Sequence, residues 1–551
     1  MISRISINRY RKLENFDICM KSGINVISGT NGTCKTSLLH MISNAYQAVN
    51  KSCVWLKHKD CLDVIKQINN IINPKIESLT KGDKKYNDPA QGVSGTLYSI
   101  DYFNHSTLEF RKHNSKVSNR YAVKPWYKKG TSEKLPYCPV IYLGLTRLYP
   151  FGEFKNDDAI KEISKTLPSK YQEEIVSIYQ KMTGINISAV SPQKMGDVKI
   201  RADFESDKPG IDSNTISAGE DNVFIIISAL ISLKYYFDSI DSQRNIESVL
   251  LIDEFDATLH PSLQIKLIDL LREYSQQYKI QIIFTTHSLS VLEYTLKMKD
   301  NVVYLIDNID SVLKMEDPDI YKIKMYLHDL TRDDIYLGKA IPLFTEDNEA
   351  RVFLKILLSY FEEKYEDFSN MKKFFHIVEA NIGADNLKNI FNDSELIRTT
   401  MKCICILDGD QVANLNNYTI KLPGNGSPEK VIMEYALSLY ENNSRFWTES
   451  TILELNYGKV HFRDNIMPDI QNISLELEKL KQDKQSTHGK EREMRKKTFI
   501  KHQRFFELLF KYWTHDDVNK KEITIFYKSL WSMFKKVAEF HGINPKIWTA
   551  K

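Results

Sequence analysis

Gly29-Thr30-Asn31-Gly32-Thr33-Cys34-Lys35-Thr36 follows the mostly apolar run of residues 24–27 and precedes Ser37-Leu38-Leu39-His40-Met41-Ile42. The stretch therefore reads as strand, glycine loop and helix. An anionic phosphate needs that geometry. Backbone N–H groups of the loop and of the helix start cradle the anion, Lys35 reaches the β- and γ-phosphates, and the Thr36 hydroxyl is placed to bind Mg²⁺. Gly29, Asn31, Gly32 and Ser37 complete the candidate phosphate cradle. One position departs from the pattern. Cys34 stands where such a loop normally has its last glycine, and a Cβ there crowds the backbone or the phosphate. Nucleotide binding is expected, with slow turnover. The bland alternative is an ordinary glycine-rich turn.

That alternative weakens because partners of the loop occur in the right order. Val249-Leu250-Leu251-Ile252 is a buried-type strand ending in Asp253, which can hold Mg²⁺, and Glu254, which can polarise an attacking water. A further strand, Lys279 to Thr286 in the sequence, ends in His287, suited to contact a γ-phosphate. Between loop and acids, Ile216-Ser217-Ala218-Gly219-Glu220 resembles the signature motif of ABC-type ATPases, and Phe255-Asp256-Ala257-Thr258-Leu259-His260-Pro261 resembles the segment after their acidic strand. In that superfamily the signature of one subunit closes on ATP held by the other. The resemblance implies a head-to-tail homodimer with Ser217 and Gly219 at the shared nucleotide.

The second half carries a different pattern. Ile341-Pro342-Leu343-Phe344-Thr345 is a strand-like run delivering Glu346, with an apolar-faced helix behind it. Phe374-Phe375-His376-Ile377-Val378 makes a second strand, with Gly383 in the following turn, and Cys403-Ile404-Cys405-Ile406-Leu407 a third, ending in Asp408-Gly409-Asp410. This order, Glu, then Gly, then Asp-x-Asp, resembles the Toprim domain. Carboxylates at adjacent strand ends repel one another unless a divalent cation neutralises them, and hard oxygen ligands suit Mg²⁺ or Mn²⁺. Such a cation can activate water and stabilise the leaving oxygen of a phosphodiester. Taken alone, Asp-x-Asp also reads as a solvated turn; its place after Glu346 and a strand-helix-strand unit argues otherwise.

Together the halves resemble the OLD family, named for overcoming lysogenisation defect, whose members join an ABC-type ATPase to a C-terminal Toprim nuclease. By motifs the resemblance spans residues 1–440. Within it, Tyr142-Leu143-Gly144-Leu145-Thr146-Arg147 lies where related ATPases have a loop that senses the γ-phosphate, with Arg147 the candidate residue. Leu422-Pro423-Gly424 and Ser427-Pro428-Glu429-Lys430 resemble the segment after Asp-x-Asp, where Glu429 is either a further acid or simply a helix N-terminal Glu after Pro. Family members' C-terminal extensions bring a lysine to the Toprim centre, for which Lys497 or Lys496 is the best candidate.

Composition is compatible with this layout. A chain of 551 residues suits two or three domains. Its formal charge of +4 does not by itself announce nucleic acid, but residues 479–504 hold ten Lys or Arg against three acids. That run either neutralises phosphates or forms a solvated helical face, the usual reading of a charge run alone. The seven cysteines form no zinc-type quartet and fit a reducing cytoplasm. The longest apolar stretch, residues 223–233, is too short to span a bilayer, and the N-terminus lacks a signal-peptide pattern.

The expected fold is α/β: an ABC-type P-loop ATPase domain over residues 1–337, with a helical, dimerising insertion at about 155–190. A Toprim, Rossmann-like domain over 338–440 and a basic helical extension over 441–551 follow. Residues 81–85 are expected to be a loop and 97–110 to be strands. The expected function is an ATP-regulated, metal-dependent DNA endonuclease, by resemblance a cytoplasmic antiphage effector acting with ATP, Mg²⁺ or Mn²⁺, DNA and no membrane. Some relatives work with a helicase-like protein or with a reverse transcriptase and its DNA. A different class of answer is an ATP-dependent sensor or scaffold whose Toprim acids are inert. A topoisomerase or primase is disfavoured, because no tyrosine-bearing cleavage domain or zinc-binding primase region is recognisable.

Overall fold

A computed structural model describes residues 1–549 except 80–87, 115–120, 131–132, 150–152, 155–156, 197, 243, 245, 443 and 483–488. The expected loop at 81–85 lies outside the described residues. The chain divides into two compact units, Met1–Thr331 and Arg332–Lys551.

The first unit is built on an eleven-stranded sheet. Its strands are β1 (Ile2–Tyr10), β2 (Leu13–Cys19), β3 (Ile24–Gly29), β4 (Thr96–Tyr102), β5 (His105–Asn114), β6 (Tyr121–Trp126) and β7 (Val140–Leu143). Outside this sheet lie β8 (Ile160–Glu162), β9 (Ile187–Met195) and β10 (Lys199–Ser206). The large sheet resumes with β11 (Ser248–Ile252), β12 (Ile280–Thr286), β13 (Asn301–Asn308) and β14 (Ser311–Lys314), giving the order β6-β5-β4-β1-β2-β14-β13-β3-β12-β11-β7. The run from β13 to β7 is parallel. Every residue of β3, β11, β12 and β7 is buried, as continuous apolar runs are when helices cover both faces. By contrast β1 and β4 pair antiparallel and alternate in burial; the expected strands at 97–110 are β4 and β5.

Helices α1 (Lys35–Asn44), α2 (Ser169–Thr183), α3 (Ala218–Asp238), α4 (Pro261–Gln277) and α5 (Leu289–Lys297) belong to this unit. The apolar stretch at 223–233 is the core of α3, with Val223, Ile226, Ile227, Leu230 and Leu233 fully buried. The insertion expected to be helical is mixed: α2 stands beside the antiparallel sheet β10-β9-β8. Its Ser191-Pro192 and Asp203 pairings are strand ladder contacts that carry no helical periodicity to read.

The second unit has an all-parallel sheet of β15 (Ile341–Thr345), β16 (Phe375–Ile377), β17 (Ile404–Leu407) and β18 (Thr419–Lys421), in the order β16-β15-β17-β18. After β15 the chain moves to one side, and after β16 it returns to the other. A crevice opens at such a switch point beyond the carboxyl ends of the strands, here between β15 and β17. Helices α6 (Asn348–Lys364), α7 (Ala384–Asn392), α8 (Pro428–Glu441), α9 (Lys490–Lys501), α10 (Gln503–His515) and α11 (Lys520–Val537) surround it. The late helices pack on α6 through aromatic pairs, with Phe353 and Phe510 stacked at a centroid separation of 4.3 Å and Phe361 and Tyr527 edge-to-face at 4.9 Å. Residues beyond 441 therefore share the core of this unit. Among the described residues no helix is long and apolar enough to cross a membrane.

On α1, His40 is buried with its Nε2 3.2 Å from the Tyr142 hydroxyl. Burial, with Arg11 nearby, depresses its pKa to about 4. Below pH 6.5 the unfolded chain takes up a proton that the folded one refuses, so this stabilisation is present above pH 6.5 and lost as pH falls toward 4. The loss amounts to roughly 3 kcal/mol. His40→Gln is expected to flatten the fall in urea midpoint between pH 6.5 and 4; equal slopes in variant and wild type would refute the assignment.

Candidate functional site

Two sites stand out, one in each unit. In the first, β3 ends at Gly29, whose φ of +149° and close approach to the Leu305 carbonyl, where a Cβ would lie at 2.3 Å, leave room only for glycine. Gly32 follows with φ +80°. Lys35 folds back over the loop, its Nζ donating to the Gly29 and Thr30 carbonyls at 3.1 Å. Burial lowers its pKa against the pull of Glu254, Asp253 and Asp256. Such a buried ammonium bound only to carbonyls is suited to exchange them for phosphate oxygens. Asn31 is exposed in the same loop, and Ser37 is buried, its hydroxyl accepting from Arg11 Nη1 at 3.0 Å.

The Thr36 hydroxyl donates to Asp253 Oδ2 at 2.9 Å, and Thr285 donates to Asp253 Oδ1 at 2.7 Å. These are the two residues expected to share Mg²⁺, brought together from the first turn of α1 and the end of β11. Glu254 follows with φ +48° and its carboxylate 3.5 Å from His287 Nε2. The histidine's hydrogen bond holds the Glu254 carboxyl below its ordinary pKa, so it is an anion able to orient water. Ser217 caps α3, accepting from the Glu220 N–H, while Glu220 accepts from the Ser217 N–H; this is a capping box. Gly219 is buried where a Cβ would meet the Thr258 carbonyl at 2.5 Å.

Arg147 is placed differently from its expected role at the γ-phosphate. It is 3% exposed, and its guanidinium donates to Asn222 Oδ1, the Leu143 and Gly144 carbonyls and the Glu254 carbonyl. Four of its N–H donors are engaged by protein acceptors, and the residue lies in the short 3-10 turn at Leu145–Leu148.

In the second unit, Glu346 and Asp408 follow β15 and β17, and both are buried. Glu346 Oε1 accepts from the Asp408 N–H at 2.9 Å. Glu429, in the first turn of α8, is fully buried. It is at once the helix N-terminal Glu after Pro428 and a member of the acidic group, with Oε1 3.9 Å from Arg492 Nε. Asp347 joins them as the N-cap of α6, and Glu349 is buried close by, 4.0 Å from Lys496 Nζ. Asp347 and Glu349 were legible only as further acids directly after Glu346.

Cations reach this group from α9. Arg492 Nη2 donates to Glu346 Oε2 at 2.9 Å, Asp347 Oδ2 at 3.1 Å and Asp408 Oδ2 at 2.8 Å, while Lys496 binds Asp347. Two expected members are not brought in. Lys497 pairs with Glu493 at 2.8 Å on the exposed side of α9, since one residue along a helix turns a side chain about 100° away from Lys496. Asp410 is exposed and bonded to Gln411 at 2.9 Å. Gly409, where a Cβ would lie 2.1 Å from the Gly424 carbonyl, pins the turn between the two aspartates.

The electrostatics are unbalanced. Burial, reinforced by Glu346 and Asp347 and opposed by Arg492, pushes the Asp408 carboxyl up to about 9. Burial also raises Glu429. Both Glu429 oxygens, Asp408 Oδ1 and Arg492 Nε are buried with no hydrogen-bond partner. Orphaned carboxyl oxygens beside further carboxylates are, once ionised, the kind of hard donor a divalent cation takes. Glu346, Asp347, Asp408 and Glu429 supply oxygens of that kind, but as they stand no group of three or more His, Cys, Asp or Glu among the described residues is arranged to hold a metal ion.

A family model described as "AAA ATPase domain" matches residues 154–292, a span that includes Ser217, Gly219, Asp253, Glu254 and His287. No curated protein matches the chain. Similar solved structures include the SMC head domain from Thermotoga maritima, 12% identical over 57% of this chain and 99% of that one, with a TM-score of 0.30. The recombination mediator protein RecF is 12% identical over 57% and 98%, TM-score 0.31. The cbiO1 protein from Clostridium perfringens, part of the ABC transporter complex cbiONQ, is 13% identical over 57% and 87%, TM-score 0.26. With its phosphate loop, the paired Thr36 and Asp253 and the match to an ATPase-domain model, the first unit has the α/β architecture and the nucleotide-site residues of a P-loop ATPase domain.

Cys34 tests the loop directly. It precedes α1 with φ +63°, a left-handed conformation that costs a residue with a Cβ about 1 kcal/mol. Cys34→Gly is expected to raise the thermal midpoint of this unit by roughly 2 °C, to leave ATP affinity within a factor of about three and to increase turnover. An unchanged midpoint and rate would show that backbone strain does not limit the loop.

Proposed function

We propose that the chain is an ATP-regulated, divalent-metal-dependent DNA endonuclease of the OLD type, with the second unit acting as a Toprim nuclease. The observation that carries this reading is the under-neutralised acidic group at the switch point of a parallel sheet, above all the fully buried Glu429 with both oxygens unpartnered. Glu346, Asp408 and Glu429 would hold Mg²⁺ or Mn²⁺, with Asp347 and Glu349 completing the anionic field. Bound there, the ion supplies water activation and neutralises charge on a phosphodiester. Lys496 and Arg492, which pair with the acidic group, would bind the scissile phosphate in preference to Lys497, which pairs with Glu493. Asp410, exposed beside the group, faces the solvent from which substrate and ions arrive. DNA is the proposed substrate, antiphage defence the proposed setting, and a helicase-like protein or a reverse transcriptase with its DNA the proposed kind of partner.

A second reading has an observation of its own. Arg492 places one nitrogen among three carboxylates, where a permanent internal counter-ion would leave the centre inert and the chain an ATP-dependent sensor or scaffold. Supercoiled and linear DNA incubated with wild type and Asp408→Ala, with and without Mn²⁺, separates the two. The nuclease reading expects metal-dependent cleavage that falls at least about a hundredfold in the variant, with ATP binding intact. Equal cleavage by both proteins, or none by either, would sink it.

Assembly follows from the signature. Ser217 and Gly219 serve ATP only across a subunit boundary, so light scattering with MgATP at micromolar concentration is expected to give at least a homodimer. A monomer under those conditions would count against the ABC-type use of this helix, whereas Lys35→Ala is expected to abolish both ATP binding and any ATP-dependent association.

A further inference from the structure

Glu254 is the acid placed to orient water, yet its backbone is left-handed at φ +48°, a conformation that a Cβ disfavours and that neighbours must hold. Two bonds hold it. The Glu254 N–H donates to Thr285 Oγ1 at 2.7 Å, and its carbonyl accepts from Arg147 Nη2 at 2.8 Å. The same guanidinium donates through Nε to Asn222 Oδ1 at 2.9 Å and through Nη1 to the Gly144 carbonyl at 3.0 Å. Asn222 lies on α3, three residues beyond Gly219 of the signature, and its own Nδ2 donates to the Ala257 carbonyl at 3.1 Å. A planar fork with fixed donors therefore joins the first turns of the signature helix to the peptide that aims Glu254.

We propose that Arg147 is a positioning residue for ATP hydrolysis: it couples the place of the signature helix to the orientation of the Glu254 carboxylate. A shift of the start of α3, where Ser217 and Gly219 present themselves to nucleotide, moves Asn222. Asn222 moves the guanidinium, and the guanidinium carries the Glu254 carbonyl. The chemical reason for arginine is geometric. Lysine offers a point charge that cannot bridge an amide oxygen and three backbone carbonyls as a planar fork does. The assignment rests on the ATPase reading, and it differs from a γ-phosphate sensor in that Arg147 acts through Asn222 and the Glu254 carbonyl rather than on the nucleotide.

The experiment measures ATP affinity and steady-state turnover separately for wild type, Arg147→Gln, Arg147→Lys, Asn222→Ala and the double variant Arg147→Gln/Asn222→Ala. Arg147→Gln and Arg147→Lys are expected to lower kcat about a hundredfold while KM and ATP affinity change less than about threefold. Asn222→Ala is expected to lower kcat about tenfold, and the double variant to be no slower than Arg147→Gln, because both changes break one link. Loss of ATP affinity in parallel with kcat would overturn the proposal in favour of phosphate contact, and so would unchanged turnover or multiplied effects in the double variant. Should Arg147→Gln fail to fold, Asn222→Ala carries the test, its kcat falling without KM or the idea failing. A wild type that binds ATP but never hydrolyses it would instead remove the hydrolytic reading of Glu254, and this coupling with it.

Discussion

The parallel register of β3, β12 and β11 is the constraint on which the first site depends. Ladder pairs bring Ser28 beside Thr286 and Ile252 beside Phe284, so the strands end together on one edge. Both faces of these strands are buried, and polar groups can therefore emerge only at that edge. There the Thr36 hydroxyl meets the Asp253 carboxylate at 2.9 Å, a bond between residues 217 positions apart. Lys35, Glu254 and His287 take their places from the same alignment. The cost appears as left-handed backbone at Cys34 and Glu254, where the loops must turn sharply off the strand ends.

The second unit meets a different electrostatic problem at the carboxyl ends of its own parallel strands. Its four parallel strands also present their carboxyl ends together, and what emerges there is mainly negative. Arg492 and Lys496 offset part of that charge, but Glu429 and one oxygen of Asp408 stay buried without partners. Removing a carboxylate from water without pairing it is expensive, and the raised pKa of Asp408 is the response of the group to that expense. On the proposed nuclease reading, a divalent cation relieves this imbalance.

The two halves were unequally legible. The phosphate loop, acidic strand and signature are contiguous stretches whose function lies in local backbone geometry, so Gly29, Lys35, Thr36, Ser217 and Asp253 could be named from order and spacing. Glu346 and Asp408 were legible for the same reason, each closing an apolar strand. Side-chain direction was harder. Arg147 sits in the expected segment but points inward, and the choice between Lys496 and Lys497 depended on the rotation of α9 about its own axis. A helix with almost no amphipathic contrast gives no pattern from which that rotation can be read.

The sequence by itself determined the α/β class, the order of the motifs and the residues that end the strands, because strand propensity, glycine conformation and helix capping act over a few neighbouring residues. Only the tertiary structure decided which charges meet. Arg492 reaches Glu346 across 146 positions of chain, and Asp410 stands apart from Asp408 although only Gly409 separates them. The physical reason is that charge interactions fall with distance in space, and that distance is set by how helices pack on a sheet rather than by separation along the chain.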